Sequence, residues 1–239
     1  MSNLLLGIRS TFFYIGYSVV TVCMSIVFIL SFPILTTRGQ YLFASIWGGF
    51  VLNWLRLCCG VRYRILGLEN LPDKPSVILA NHQSTWETIL IYKLVFPVSP
   101  ILKKELLNIP FWGWCLRLTN PIAIDRSKPR EAGKSLLLQG TNRVATGKSI
   151  IVFPEGSRSQ MGTVKRFSRG GAKLAIAAKA PITPIAHNAG SCWPAHKFIK
   201  RPGLITVVIG EQRPTDNIDA NQLTADIESW IRETVARLD

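Results

Sequence analysis

The sequence predicts an α/β fold: a mostly parallel central sheet flanked by helices, preceded by a hydrophobic two-helix membrane anchor. Three observations carry that reading. From residue 61 onward, short apolar runs of β-forming residues alternate with helical stretches, the pattern of parallel strands joined by crossover helices. Two of those runs, Ser76–Ala80 and Ser149–Phe153, break off abruptly into polar segments. The first 68 residues contain no Asp or Glu, and no residue from Ser10 to Thr37 carries a charge. The division expected is an anchor over 1–60 and a globular domain over 61–239.

The anchor comes first. Val19 to Leu35 is strongly apolar, and about 20 such residues suffice to cross hydrocarbon. The run is too long for a signal peptide, and no clear small-x-small cleavage site follows it. Tyr41 to Leu57 is a second, shorter apolar stretch, with Trp47 and Trp54 suited to an interface and Gly39-Gln40 as the turn between the two. Arg9, Arg38 and Arg56 flank these helices on both sides, so charge asymmetry does not set a topology. A spanning helix with an interfacial partner and a hairpin embedded from one side are both open on these residues.

The domain follows in order. Val61–Gly67 alternates and reads as an edge strand, and Asn70 to Pro75 as a turn-rich loop. Strand Ser76–Ala80 leads through Asn81-His82-Gln83-Ser84-Thr85-Trp86-Glu87 into a helix over Thr88–Leu94. Ser99–Leu102 is a short strand ending at Lys103-Lys104, and Leu106–Leu118 is helical but broken at Pro110 and Gly113. Pro121–Ile124 is a strand ending at Asp125-Arg126. Lys128–Gly147 is the clearest amphipathic helix, with Leu136, Leu137, Gly140 and Val144 on one side. Strand Ser149–Phe153, a basic loop, a helix over Gly171–Ala180, strands Ile182–Ala186 and Leu204–Ile209, and a closing helix over Leu223–Leu238 complete the chain.

Composition narrows the partners. The net charge is +14, and residues 101–173 hold fourteen Lys and Arg against four acids. Such a balance calls for an anionic partner: nucleic acid, an acidic membrane surface or a phosphorylated substrate. No aromatic pattern of an RNA-binding sheet, helix-turn-helix signature or zinc-finger spacing is present, which argues against nucleic acid. Five cysteines at unpaired spacings, with Cys58 and Cys59 adjacent, fit a reducing compartment rather than a disulfide frame or zinc ligands. No metal is expected, since His187 and His196 lack acidic neighbours at ligand spacing. Gly147-Lys148-Ser149 echoes a phosphate-binding loop, but a strand follows where a helix should. Gly170-Gly171 before a helix could hold an anion or be a plain turn.

His82 falls where a buried strand delivers the chain to a helix N-terminus, a place of unpaired N–H groups and positive field. His82 followed five residues later by Glu87, with Phe153-Pro154-Glu155-Gly156-Ser157-Arg158-Ser159 in a second block, resembles the glycerolipid acyltransferases, specifically the 1-acylglycerol-3-phosphate acyltransferases. Pro121-Ile122-Ala123-Ile124-Asp125-Arg126 and Ala180-Pro181-Ile182-Thr183-Pro184-Ile185 are similar to that family's other blocks, and Lys103-Lys104-Glu105-Leu106 is also family-like. The likeness runs from about residue 76 to 186 in the expected order. It departs in having Glu87 where Asp is usual and Pro121 near where Gly is common.

The chemistry that these residues suit is acyl transfer. A thiolate leaves readily because a thiol ionises near a pKa of about 8.5, whereas a hydroxyl is a poor nucleophile and needs a base. A neutral imidazole at His82 can take that proton, and Glu87 can reach its other nitrogen to fix the tautomer. The resemblance implies direct attack with no acyl-serine. It also implies acyl-CoA or acyl carrier protein as donor with no cofactor, and a lysophospholipid, 1-acyl-sn-glycerol 3-phosphate, as acceptor. The work would be done at the cytoplasmic face of the bacterial inner membrane by an enzyme with an embedded two-helix anchor. The acceptor's phosphate and glycerol are then assigned to Arg126, Glu155, Gly156, Arg158, Lys103 and Lys104. Among these, Arg126 and Arg158 supply forked donors, Gly156 a close backbone approach, and Glu155 a partner for a glycerol hydroxyl or for Arg158. Another lysolipid acceptor, such as lyso-ornithine lipid, is the alternative, followed by a non-catalytic basic protein docked on lipid.

Overall fold

The computed structural model describes residues 2–125 and 127–238. Helix α1 (Asn3–Ser31) is capped by the Ser2 side chain and runs on past the uncharged stretch at its N-terminal end. A short 3-10 turn over Phe32–Ile34 ends it, at Pro33. Thr36 then caps α2 (Thr37–Cys59) by accepting from the Gly39 N–H. The turn between the helices therefore lies at Leu35-Thr36, and Gly39-Gln40 sits inside the first turn of α2. A hydroxyl one residue before a helix satisfies an orphan N–H, and that outweighed the glycine as a signal.

After Gly60, which caps α2 in the left-handed region at φ 72°, the strands and helices alternate. They are β1 (Val61–Leu66), β2 (Val77–Ala80), α3 (Trp86–Leu94), β3 (Val98–Lys103), α4 (Trp112–Leu118), β4 (Ile122–Ile124), α5 (Pro129–Ala145), β5 (Ser149–Val152), α6 (Gly170–Ala177), β6 (Ile182–His187), β7 (Gly203–Ile209) and α7 (Ala220–Ala236). The sheet has seven strands in the order β1-β7-β6-β2-β5-β3-β4. Every pairing is parallel except β6 with β7. The mostly parallel α/β sheet is therefore present, with β1 at one edge.

Burial of both faces of the sheet explains the apolar runs. In β2, Ile78 and Ala80 face one core with α1, α2 and α3, while Val77 and Leu79 face the other with α6 and α7. Gly171 in α6 lies so close to β2 that an added Cβ would come 2.5 Å from Leu79 Cδ2. This close approach accounts for glycine at position 171. In α7, Leu223, Ile227, Ile231 and Val235 form the buried stripe, at the spacing of one helical face.

The two N-terminal helices belong to this core. Phe13, Val51, Leu52 and Leu55 are each at most 3% exposed and pack with Ile78, Leu90 and Ile205. Polar ties accompany the packing: the Tyr41 hydroxyl donates to Val98 O, Trp54 Nε1 to Phe13 O, and Arg9 Nε to Cys58 O. Arg9 thus serves the C-terminal end of α2, where a cation complements the helix dipole. The opposite face of α1, with Phe12, Ile15, Val19 and Leu30, is exposed and apolar, as are Leu42, Ile46 and Leu57 of α2. Both helices are long and apolar enough to cross a membrane, by length and composition. An exposed face of this kind marks membrane association.

Burying one large apolar side chain contributes about 1.5–3 kcal/mol, and a whole domain retains only about 5–15 kcal/mol. Removing residues 1–60 is therefore expected to unfold the remainder. In detergent, the truncated chain should show no cooperative thermal transition by circular dichroism. A sharp transition near that of the full chain would show that 61–239 stands alone.

Candidate active site

The site forms where β2 and β5 end side by side. Their parallel register pairs Ile78 with Ile151 and Leu79 with Val152, so both chains leave the sheet at one level. From there α3 packs on one face of the sheet and α6 on the other, which opens a crevice between the strand ends. The two segments are then sewn together. His82 N–H donates to Glu155 Oε1 at 2.7 Å, and Ser159 N–H donates to His82 O at 2.7 Å. The other oxygen of Glu155 accepts from Lys165 N–H at 2.9 Å. Burial raises the Glu155 carboxyl pKa above the usual range, against the pull of those N–H donors.

Within the β2–α3 turn the sequence is built around Glu87, which is 1% exposed. Its Oε1 accepts from Gln83 N–H at 3.0 Å, from Ser84 N–H at 2.8 Å and from His82 Nδ1 at 2.8 Å. The first two bonds are those of a carboxylate reaching back over the first turn of a helix, so Glu87 caps α3 while holding the imidazole. Burial opposes its charge, but His187, the His82 ring and the Ser84 N–H outweigh it and keep the carboxyl below the usual range. Donation from Nδ1 leaves Nε2 as the basic nitrogen. The ring is clamped flat against Phe153, with centroids 4.1 Å apart and planes 19° from parallel.

Behind the dyad, Asn81 and His187 lock the ends of β2 and β6. The Asn81 side chain donates to His187 O and accepts from His187 N–H, while His187 Nε2 donates to Asn81 O at 2.8 Å. His187 Nδ1 accepts from Ala189 N–H, so both ring nitrogens are engaged by a neutral imidazole. Burial lowers the His187 pKa to match, with Glu87 pulling the other way.

His82 opens on an apolar cavity of about 590 Å³. Tyr17, Met24, Phe28 and Trp47 of the N-terminal helices form one wall, and α3, β3 and α4 form the rest. Arg158 and Lys103 line it. Arg158 Nε is buried without a hydrogen-bond partner, and the residue lines the cavity. Lys104 turns away and donates to Asp125 Oδ2, which holds the Asp125 carboxyl below its usual range. Gly156 turns at φ 73°, and a Cβ built there would meet nothing within 4 Å, so backbone conformation alone asks for glycine. Arg126 lies outside the described residues.

Thus His82, Glu87, Arg158, Lys103, Glu155 and Gly156 come together, while Lys104 does not reach the cavity. Glu155 accepts from the backbone N–H groups of His82 and Lys165 through its two oxygens. Sequence reasoning passed over Phe153, and it set His187 aside for want of an acidic neighbour. Trp112 also lines the cavity.

A histidine base oriented by a buried carboxylate, open to an apolar cavity with basic residues on its wall, is the equipment of an O-acyltransferase. An acyltransferase family model matches residues 62–188. The 1-acyl-sn-glycerol-3-phosphate acyltransferase of Pseudomonas aeruginosa is 42% identical over 236 residues, covering 97% of this chain and 92% of its own. That of Saccharomyces cerevisiae is 31% identical over 173 residues, 71% of this chain and 57% of its own. The crystal structure of the 1-acyl-sn-glycerophosphate acyltransferase of Thermotoga maritima superposes with a TM-score of 0.83 at 23% identity, over 100% of this chain and 99% of that one, and so shares the fold. The chain belongs to the 1-acylglycerol-3-phosphate acyltransferase family.

Because Oε1 makes all three bonds, Glu87→Gln can keep its acceptor and lose only the charge. Turnover is expected to fall about 10²–10³-fold, and His82→Ala to fall at least as far. The double variant should be little worse than the poorer single, since the two groups act as one unit. Turnover at saturating substrates decides it: penalties that simply multiply, or a fully active Glu87→Gln, rule out a catalytic pair.

The pH dependence of stability has a definite sign. An unfolded histidine titrates at about 6.5 and buried His187 resists protonation, so below about 6.5 the unfolded state binds the extra proton and folding weakens. Glu87 acts in the same direction at lower pH, its stabilisation being present above an ordinary carboxyl pKa of about 4.3 and lost as pH falls further. The Tm should drop from pH 7 to pH 5, and His187→Asn should flatten that drop. A Tm that stays level between those values contradicts the assignment.

Proposed function

We propose that this enzyme transfers an acyl chain from an acyl thioester, carried on coenzyme A or acyl carrier protein, to the free hydroxyl of 1-acyl-sn-glycerol 3-phosphate, giving phosphatidate. The observation that carries the reading is the His82–Glu87 pair, with its basic nitrogen facing an apolar cavity walled by membrane-associated helices. His82 Nε2 takes the hydroxyl proton as the oxygen attacks the thioester carbonyl. Glu87 stabilises the imidazolium that forms. As the tetrahedral intermediate collapses, the C–S bond breaks and the imidazolium returns the proton to the departing sulfur. The acyl chain passes from thioester to ester without an acyl-enzyme, and histidine ends as it began.

Arg158 and Lys103 are assigned to the acceptor's phosphate, on their charge and their position at the cavity wall. Arg126 stays in the proposed set on its sequence block. Gly156 shapes the turn that carries Arg158, and Glu155 acts as a positioning residue for the His82 backbone. The reaction is set at the cytoplasmic face of a bacterial inner membrane, a reading supported by the apolar outer face of α1 and by cysteines that are all free.

The test uses purified full-length protein in mixed micelles, with thiol release from acyl-CoA as readout. Release is expected with lysophosphatidate and not with lyso-ornithine lipid or a lysolipid lacking an exposed phosphomonoester. In Arg158→Ala the acceptor KM should rise roughly a hundredfold, the cost of a lost charge-assisted fork, with partial recovery in Arg158→Lys. Equal rates on phosphate-free acceptors would sink the proposal.

A further inference from the structure

Beside the His82–Glu87 pair lies a second recess, of about 330 Å³, of whose lining the reaction as described uses only Arg158. It adjoins the apolar cavity through four shared lining residues: Tyr17, Thr85, Arg158 and His196. Its far wall is the loop between β6 and β7, which contributes Trp193, His196 and Lys197, with Tyr14 of α1 opposite. Its character differs from that of the cavity. No acidic residue lines it, and among the described residues neither Arg158 nor Lys197 is in an ion pair.

The wall is built to hold its shape. Lys200, at the root of the loop, is fully buried, and its ammonium donates to Lys197 O at 2.6 Å and Phe198 O at 3.0 Å. The same ammonium lies over the Tyr14 ring at 4.9 Å and the Trp193 ring at 5.1 Å. Lys200 N–H donates to Ser10 Oγ of α1, and Trp193 meets Phe13 edge-on with ring centroids 5.1 Å apart. At the rim, His196 is held in the left-handed region at φ 57°. A non-glycine residue there carries strain that its surroundings must hold in place.

We infer that this recess receives the phosphate ester of a substrate, gripped by Arg158 on one wall and by Lys197 and His196 on the other. An anion seated there meets the Arg158 guanidinium, Lys197 and His196 in a concave, acid-free site. The inference rests on the acyl-transfer reading, which supplies two phosphate-bearing partners: the glycerol phosphate of the acceptor and the phosphopantetheine of the donor. The same chemistry recognises either, and kinetics separate them.

The experiment measures KM for each substrate at saturation of the other, in full-length Lys197→Ala, Lys197→Glu and His196→Asn, the last chosen because Asn tolerates the left-handed conformation. Lys197 and His196 are exposed, and cooperative thermal unfolding checks that each variant folds. One substrate's KM should rise about tenfold in Lys197→Ala, more in Lys197→Glu, with a smaller change in kcat. A rise confined to lysophosphatidate assigns the recess to the acceptor. A rise confined to acyl-CoA, and absent with an acyl-N-acetylcysteamine thioester, assigns it to the donor. Both KM values within twofold of wild type in Lys197→Glu would overturn the inference, as would an equal rise in both with weakened binding to anionic vesicles. Should wild type instead prefer a different acceptor, a selective KM shift in these variants keeps the recess and discards only the acceptor proposed above.

Discussion

One buried oxygen, Oε1 of Glu87, organises the catalytic end of this molecule. It accepts from two backbone N–H groups of the β2–α3 turn and from the ring of His82. A helix start, a turn and an imidazole are therefore oriented by a single acceptor, and none can shift without the others. The buried charge is tolerable because three donors converge on Oε1, and a carboxylate without them would protonate or drag the turn apart. Capping of α3 and orientation of the imidazole are here one interaction.

The rest of the fold supplies alignment. Parallel pairing of β2 with β5 brings residues some seventy positions apart to the same level, and Glu155 converts that proximity into a tether on the His82 backbone. Phe153, one residue past β5, supplies the flat surface against which the imidazole rests. The Asn81–His187 clasp does the same for β6 on the other side. His82 is thus braced through its neighbours on both flanking strands and through its own helix.

How much of this was legible depended on distance along the chain. The alternation of apolar runs and helices exposed the α/β class, and His82 with Glu87 stood out because both lie within one strand-to-helix turn. Arg158 and Lys103 could be picked out as cations at strand ends. The partners of Glu155, the stacking of Phe153 and the service of Asn81 and His187 could not, since each depends on strand register between segments far apart in sequence. The turn at Leu35-Thr36 was missed because a capping threonine competes with a glycine three residues on. Most hidden of all was the depth to which α1 and α2 enter the core. An apolar helix reads the same whether it meets lipid or protein, and only the side-chain neighbours of Phe13 and Leu55 distinguish the two.

That placement has a further consequence for α1. Tyr17, Met24 and Phe28 line the cavity, while Val19, Ile26 and Leu30 look outward from the same few turns. The partition between substrate and bilayer is here the thickness of one helix, with no intervening layer. Its sequence must answer to two solvents at once, read alternately at the 3.6-residue period. Substitutions on one face reshape the cavity beside His82, and substitutions on the other change the apolar surface the protein presents outward. Cavity shape and outer surface are therefore written in interleaved letters of a single segment, separable residue by residue and leaving His82 untouched.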